Sequence, residues 1–87
     1  MEPKLLIATE VYNPADWGRV VRQLRSGRGW TQTQLGEWLG VSRPTVAKLE
    51  SGGNVGIEVA LRALTLLGAV PTVHPKGTRL VQERQVE

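Results

Sequence analysis

The chain contains no cysteine and no phenylalanine, and only one histidine among its 87 residues. Without cysteine there is no disulfide framework and no thiolate metal site, which suits a reducing compartment. The lone His74 has no carboxylate cluster beside it, so it makes neither a metal site nor an acid–base pair. No glycine-rich phosphate loop and no nucleophile–base spacing is present. An enzyme is therefore not expected, nor is a cofactor. No apolar run approaches the ~20 residues of a membrane span. Leu5-Leu6-Ile7-Ala8 is too short for the apolar core of a signal peptide. A cytoplasmic protein that does not engage a membrane is expected. Aromatics are also scarce, at three tryptophans and one tyrosine. The core of so small a domain is then aliphatic and thin, and a second copy would enlarge it.

The net charge is +3, but it is unevenly spread. Residues 19–48 carry Arg19, Arg22, Arg25, Arg28, Arg43 and Lys48 against Glu37 alone. Such a segment is either a solvated basic face or a surface for a polyanion.

Local signals divide the chain into four helices flanked by extended ends. Asn13 is a suitable N-cap, Pro14 fits the first helical position and Asp16 lies near the positive end of the dipole. Tyr12 and Trp17 hold the staple positions around that cap. Trp17, Val20, Val21 and Leu24 then form one apolar stripe, and Ser26-Gly27-Arg28-Gly29 ends the helix. In the second helix Thr31 is the cap, Gln34 completes a capping box, and Trp30 with Leu35 forms a staple. Leu35 and Leu39 point inward. Gly36 costs about 1 kcal/mol of helix propensity relative to alanine, and a close approach of the third helix would explain it. That third helix starts at Ser42, with Val41 and Val46 as staple and Pro44 in the first turn, where a missing N–H is harmless. Val46 and Leu49 face inward, which leaves Arg43, Thr45, Ala47 and Lys48 outward. Ser51-Gly52-Gly53 stops it.

The fourth helix is expected over residues 54–67, with Asn54 as cap and Gly68 as stop. Ile57, Ala60, Leu61, Leu64 and Leu67 make its broad apolar face. Val59, Ala63 and Leu66 add apolar surface elsewhere, and Glu58 with Arg62 is an i, i+4 pair. A helix apolar nearly all round wants a second partner. Val59, Ala63, Leu66, Val70 and Val73 are accordingly the expected homodimer contacts. Residues 1–12 read as an extended arm or short strand. Residues 70–74 and 78–81 are strand-like, and the polar end after them is expected to fray. Trp17 and Trp30 suit core or staple positions. Trp38 suits either a protein partner or the half-buried edge of its helix.

Between the second and third helices lies Gly40-Val41-Ser42. Glycine there accepts a positive φ, valine packs inward and serine caps, which sets two helices at a steep angle in a helix-turn-helix. The residues Leu24-Arg25, Arg28-Gly29-Trp30-Thr31-Gln32, Leu35-Gly36, Leu39-Gly40-Val41-Ser42, Thr45-Val46, Leu49-Glu50-Ser51-Gly52 and Leu67-Gly68 resemble the lambda-repressor-like, XRE-type helix-turn-helix family over residues 13–68. The resemblance implies an all-α domain of four helices, here with short strands at either end, that binds a palindromic site on double-stranded DNA as a dimer.

On that basis Arg43, Thr45 and Lys48 become candidates for base readout. Arg43 could bond guanine O6 and N7 together, which is worth about 1–3 kcal/mol of discrimination, or it could hold a phosphate. Lys48 and Thr45 have the same two options. Ala47 and Pro44 could touch a thymine methyl or simply cover the helix. The resemblance implies that Gln32 reaches a base edge, and that Arg25 and Glu50 form a partly buried ion pair tying the first helix to the third. Thr31, Ser42, Gly53 and Asn54 are phosphate candidates, Thr31 through its backbone N–H while its hydroxyl caps. Pro44 stands where the family often has a polar base reader, Gly36 where alanine is usual and Trp38 where a charge is usual.

More narrowly, the arm, the single helix-turn-helix and the strand-like tail resemble HipB-type antitoxins. Such proteins repress their own operon and bind a HipA-type kinase toxin. A stand-alone or phage-type regulator, or an adapter that does not bind DNA, remains an alternative.

Overall fold

The computed structural model describes residues 8–77. Four helices follow one another: α1 (Pro14–Gly27), α2 (Gln32–Leu39), α3 (Arg43–Glu50) and α4 (Ile57–Leu66). No strand occurs among the described residues. Residues 8–12 and 69–75 carry no ladder, so the strand expected over 70–74 is not formed, and the arm shows none in its described part. Nothing in the described chain supplies a partner edge for either segment. The strand expected over 78–81 and the rest of the arm, residues 1–7, lie outside the described residues.

The first three helices begin as their local chemistry dictates. Asn13 accepts the Asp16 N–H at 2.8 Å, and the Asp16 carboxylate accepts the Tyr12 N–H at 3.0 Å. Thr31 and Gln34 exchange both bonds of a capping box, at 3.0 and 2.8 Å. Ser42 caps α3 through Thr45 N–H. α4 departs from expectation. It begins three residues later than Asn54, at Ile57, with Gly56 in the cap position and no side-chain cap. The cause lies upstream. Gly52 and Gly53 donate back to Leu49 and Lys48 as α3 ends, and the chain then runs without helical structure to Gly56 while Val55 packs on the core.

The core is aliphatic: Val21, Leu35, Leu39, Val46, Leu49, Ala63, Leu64 and Leu67 are buried. Trp17, Trp30 and Val41 pack around it, and Trp17 Nε1 donates to the Ala60 carbonyl at 3.2 Å, tying α1 to α4. α4 is turned relative to the expected face. Ala63 is fully buried, so it is a core residue and not a dimer contact, whereas Ile57 is 74 % exposed and Leu61 also reaches solvent. Val59 and Leu66 are half-buried against the core. The Glu58–Arg62 pair is not made, and Arg62 instead lies beside Trp38 and Leu66.

Two close approaches fix the angle of the bihelical unit. Gly40 has φ +74°, a conformation that L side chains rarely adopt. Its turn places the Val41 N–H on the Gly36 carbonyl at 2.9 Å. A Cβ on Gly36 would lie 2.7 Å from the Val41 oxygen, so the close neighbour is the backbone of the turn and not, as expected, the third helix, whose Val46 Cγ2 lies at 3.4 Å. Gly18 does the same for α1, since a Cβ there would lie 2.5 Å from the Glu50 carbonyl oxygen.

Candidate nucleic-acid interface

α3 presents its outward face because Val46, Leu49 and Glu50 are drawn inward. At helical spacing the residues opposite them are Pro44, Ala47 and Lys48, with Arg43 at the entrance. Arg43, Pro44 and Lys48 are exposed and Ala47 is half-buried. Thr45 is half-buried and its hydroxyl lies 3.1 Å from the Ser42 hydroxyl, so it is part of the helix start. Neither Arg43 nor Lys48 has an acidic partner among the described residues. The Lys48 stem lies along Gly53, where a Cβ would collide with its Cγ.

The start of α2 lies beside this face. Gln32, Ala47, Glu50 and Ser51 line one groove of about 270 Å³ together with Arg22 and Arg25. Glu50 is its buried charge. Arg25 Nε and Nη2 donate to the two Glu50 oxygens at 2.5 and 3.0 Å, and Arg25 Nη1 donates to the Trp30 carbonyl at 2.6 Å. The hydrogen bonds to Glu50 push the Arg25 guanidinium further up from its ordinary value, against a smaller opposing effect of burial. The expected tie between the first and third helices is therefore made. The structure adds a member to it: Gln32 Nε2 donates to Glu50 Oε1 at 3.1 Å. A side chain singled out for DNA is thus also bonded to the structural ion pair, and sequence spacing gave no sign of it.

The phosphate candidates sort differently. Thr31 spends its backbone N–H on Gln34, and its hydroxyl accepts the Gln34 N–H while keeping its own proton to donate. The Gln32 and Thr33 N–H groups are the ones left without a partner at the N-terminus of α2 among the described residues. Gly53 gives its N–H to the Lys48 carbonyl at 2.8 Å and so has no donor to offer a phosphate. Asn54 is exposed in the loop before α4 and does not cap it. Charge is also redistributed. Arg19 pairs with Asp16 at 3.0 Å, and Arg28 lies over the Trp30 ring and bonds the Leu67 carbonyl. Of the basic segment, Arg22, Arg28, Arg43 and Lys48 make no ion pair within the described residues, and of these Arg28 alone is engaged by a ring and a carbonyl.

A family model described as a helix-turn-helix domain matches residues 16–75, more than half of the chain. The chain belongs to the helix-turn-helix domain family. The helix-turn-helix chain is 51 % identical over 45 residues to a proposed HTH-type transcriptional regulatory protein of Methanospirillum hungatei, covering 52 % of this chain and 15 % of that protein. It is 39 % identical over 67 residues to a counterpart from Methanocella arvoryzae, covering 77 % of this chain and 20 % of that one. The chain thus spans a fifth or less of the length of these curated relatives. Among solved structures it resembles a HipB–O4 20mer complex, with TM-score 0.71 and 21 % identity over 79 % of this chain and 99 % of that one. A HipA–HipB–O2–O3 complex matches with the same TM-score and identity. At that identity the likeness is one of fold, and the fold is that of HipB.

No helix among the described residues is long and apolar enough to cross a membrane, and no group of three or more metal-binding side chains occurs among them.

Proposed function

We propose that the helix-turn-helix chain is a sequence-specific DNA-binding transcriptional regulator that acts as a homodimer. One observation carries this reading. The outward face of α3 holds Arg43 and Lys48 without acidic partners among the described residues, beside an α2 N-terminus whose Gln32 and Thr33 N–H groups have no partner among them. A helix in the major groove places such cations on base edges, while the neighbouring helix start meets a phosphate through its N–H groups and dipole. Arg43 and Lys48 face the DNA in this arrangement. The Thr31 and Ser42 hydroxyls and Asn54 border it, and Thr45 contributes mainly by shaping the start of α3. Ile57, Leu61, Val70 and Val73 supply the exposed apolar surface for the second copy, with Val59 and Leu66 at its edge. Selection of bound duplexes from a random DNA pool tests the proposal. A two-fold symmetric site is expected, with half-sites one helical turn apart. Recovery of no enriched sequence excludes it.

The antitoxin reading is the finer form of this proposal. HipB is described in complex with HipA, and this chain shares the HipB fold. The feature that favours a protein partner is Trp38, 63 % exposed at a groove of about 170 Å³ with Leu39, Arg62, Thr65 and Leu66. A kinase-like reading frame beside this one, whose product co-purifies with the wild-type chain and not with Trp38→Ala, is the expected result. Its absence leaves a stand-alone regulator.

A further inference from the structure

α4 keeps five side chains on one side. At about 100° per residue, Ile57, Glu58, Leu61, Arg62 and Thr65 lie opposite Ala63 and Leu64. All five are exposed, while Ala63 and Leu64 are buried. Two of the five carry opposite charge. Glu58 and Arg62 stand at i, i+4, in the order that favours a pair within one helix. No such pair is made among the described residues, and Arg62 instead lines a groove with Trp38, Leu39 and Leu66. Thr65 donates its hydroxyl to the Leu61 carbonyl at 3.2 Å, so covering it strands no donor.

We propose that this face packs antiparallel on the same face of a second copy, with Glu58 of each chain against Arg62 of the other. This rests on the homodimer of the proposed function and adds the direction and register of pairing. Charge decides the direction. Contacts across a two-fold axis are reciprocal. Parallel α4 helices would set Glu58 beside Glu58 and Arg62 beside Arg62, a double repulsion. Antiparallel helices centred on residue 58 or on residue 62 still bring one like pair together. A centre between those two residues matches each acid with a base, twice. The same centre lays Leu61 on Leu61 near the axis and Ile57 on Thr65 of the other chain. The apolar side chains therefore meet in the register that the charges select. Burial of the apolar residues supplies the attraction, and the charges choose partner and register.

Sedimentation of the full chain at low salt and without DNA tests this, with folding checked by circular dichroism. Glu58→Arg and Arg62→Glu are each expected to raise the homodimer dissociation constant by about ten- to a hundredfold, since like charges then face each other twice. Mixed in equal amounts, the two variants recover a two-chain assembly, because every contact again joins opposite charges. A chain that carries both substitutions recovers it alone. Single variants that pair as tightly as wild type, or a mixture that stays apart, overturn the register. Glu58→Arg also sets a cation near the positive end of α4, so a second measurement avoids the charges. The chain has no cysteine, and a single introduced thiol reports its own neighbours. Leu61→Cys is expected to oxidise to a disulfide-linked pair. Ile57→Cys is not, because its two copies would lie about 10 Å apart along the helices, and a disulfide needs Cα atoms within about 7 Å. Linking of Ile57→Cys, or no linking of Leu61→Cys, overturns the proposal. A wild type that stays monomeric overturns it as well, whereas failure to bind any duplex removes the DNA-binding function and leaves this contact standing.

Discussion

Glu50 is 9 % exposed, and a carboxylate so placed is tolerable only because Arg25 and Gln32 surround it with donors. Taking away one member of such a pair leaves a buried charge without compensation, which costs about 3–5 kcal/mol. Arg25→Glu is therefore expected to unfold the chain or lower its melting temperature steeply. Arg25→Lys recovers only part of the loss, because an ammonium cannot bridge both oxygens and reach the Trp30 carbonyl as well. Thermal unfolding of the two variants checks this, and an intact fold in Arg25→Glu refutes the structural role. At the other end of α1, Asp16 is held below its ordinary carboxylate value, first by the Tyr12 backbone hydrogen bond and then by Arg19. The sign follows from linkage. A carboxyl lowered by folding stabilises above its unfolded value, and that contribution is lost as pH falls through the carboxylate range. Asp16→Asn is expected to flatten the acid limb of a stability–pH curve, with the smallest difference from wild type at low pH.

At the scale of elements, what was legible in the sequence was what is local. The caps at Asn13, Thr31 and Ser42, the capping box and the Gly40 turn each involve residues within a few positions of one another, so their chemistry can be read along the chain. Gly36 was half legible: its cost was visible, though its neighbour at 2.7 Å, the Val41 oxygen, was not. Gly18 was silent, and Gly52 was legible as a helix stop but not as a close approach. A Cβ on Gly52 would lie 2.8 Å from the Ala15 Cα, a contact between α1 and the end of α3 that no spacing rule encodes. The start of α4 was misread because Asn54 has the chemistry of a cap, while the packing of Val55 on the core delays the helix to Ile57. Gly18→Ala is expected to be costlier than Gly36→Ala, because its Cβ would collide with the carbonyls of both Leu49 and Glu50. Overpacking of this kind costs about 1–3 kcal/mol, against a gain of at most about 1 kcal/mol in helix propensity. Denaturation midpoints of the two variants give the order.

α3 carries its own prediction at this scale. Pro44 lies near the centre of the outward face and offers no donor, so under the proposed function hydrogen-bonded discrimination along α3 would fall to Arg43 and Lys48. Arg43→Ala is expected to relax one position of the selected DNA site and leave the others unchanged. A uniform weakening, with the slope of log K against log salt reduced by about 1, would instead mark a phosphate contact. The ion pairs of Arg19 and Arg25 explain why the basic stretch of the sequence overstates the charge available. Counting cations along the chain could not show which ones the fold consumes.

For the whole molecule the question is what brings two reading helices together. In the proposed reading a single copy offers one short helix to the groove, and two copies related by a two-fold axis would place their α3 helices about 34 Å apart over successive major grooves. The apolar side chains that α4 and the segment behind it leave in solvent are Ile57, Leu61, Val70 and Val73, the last 97 % exposed. Ala63 is lost from the expected interface because it serves the core, while Ile57 and Leu61 join the proposed one because the turned helix leaves them exposed. Burying such side chains yields roughly 25 cal/mol per Å² of apolar surface, and association must also offset the lost freedom of two bodies. A two-chain assembly that is stable at tens of micromolar (on the order of common sedimentation concentrations, against the −8.2 kcal/mol that corresponds to about 1 μM) is expected for the wild type. The double variant Ile57→Asp with Leu61→Asp keeps the buried face of α4 untouched, so it is expected to stay helical, sediment as one chain and lose affinity for a full palindromic site far more than for a half-site. A monomeric wild type at that concentration, or a double variant that still pairs, would move the dimer contact away from α4.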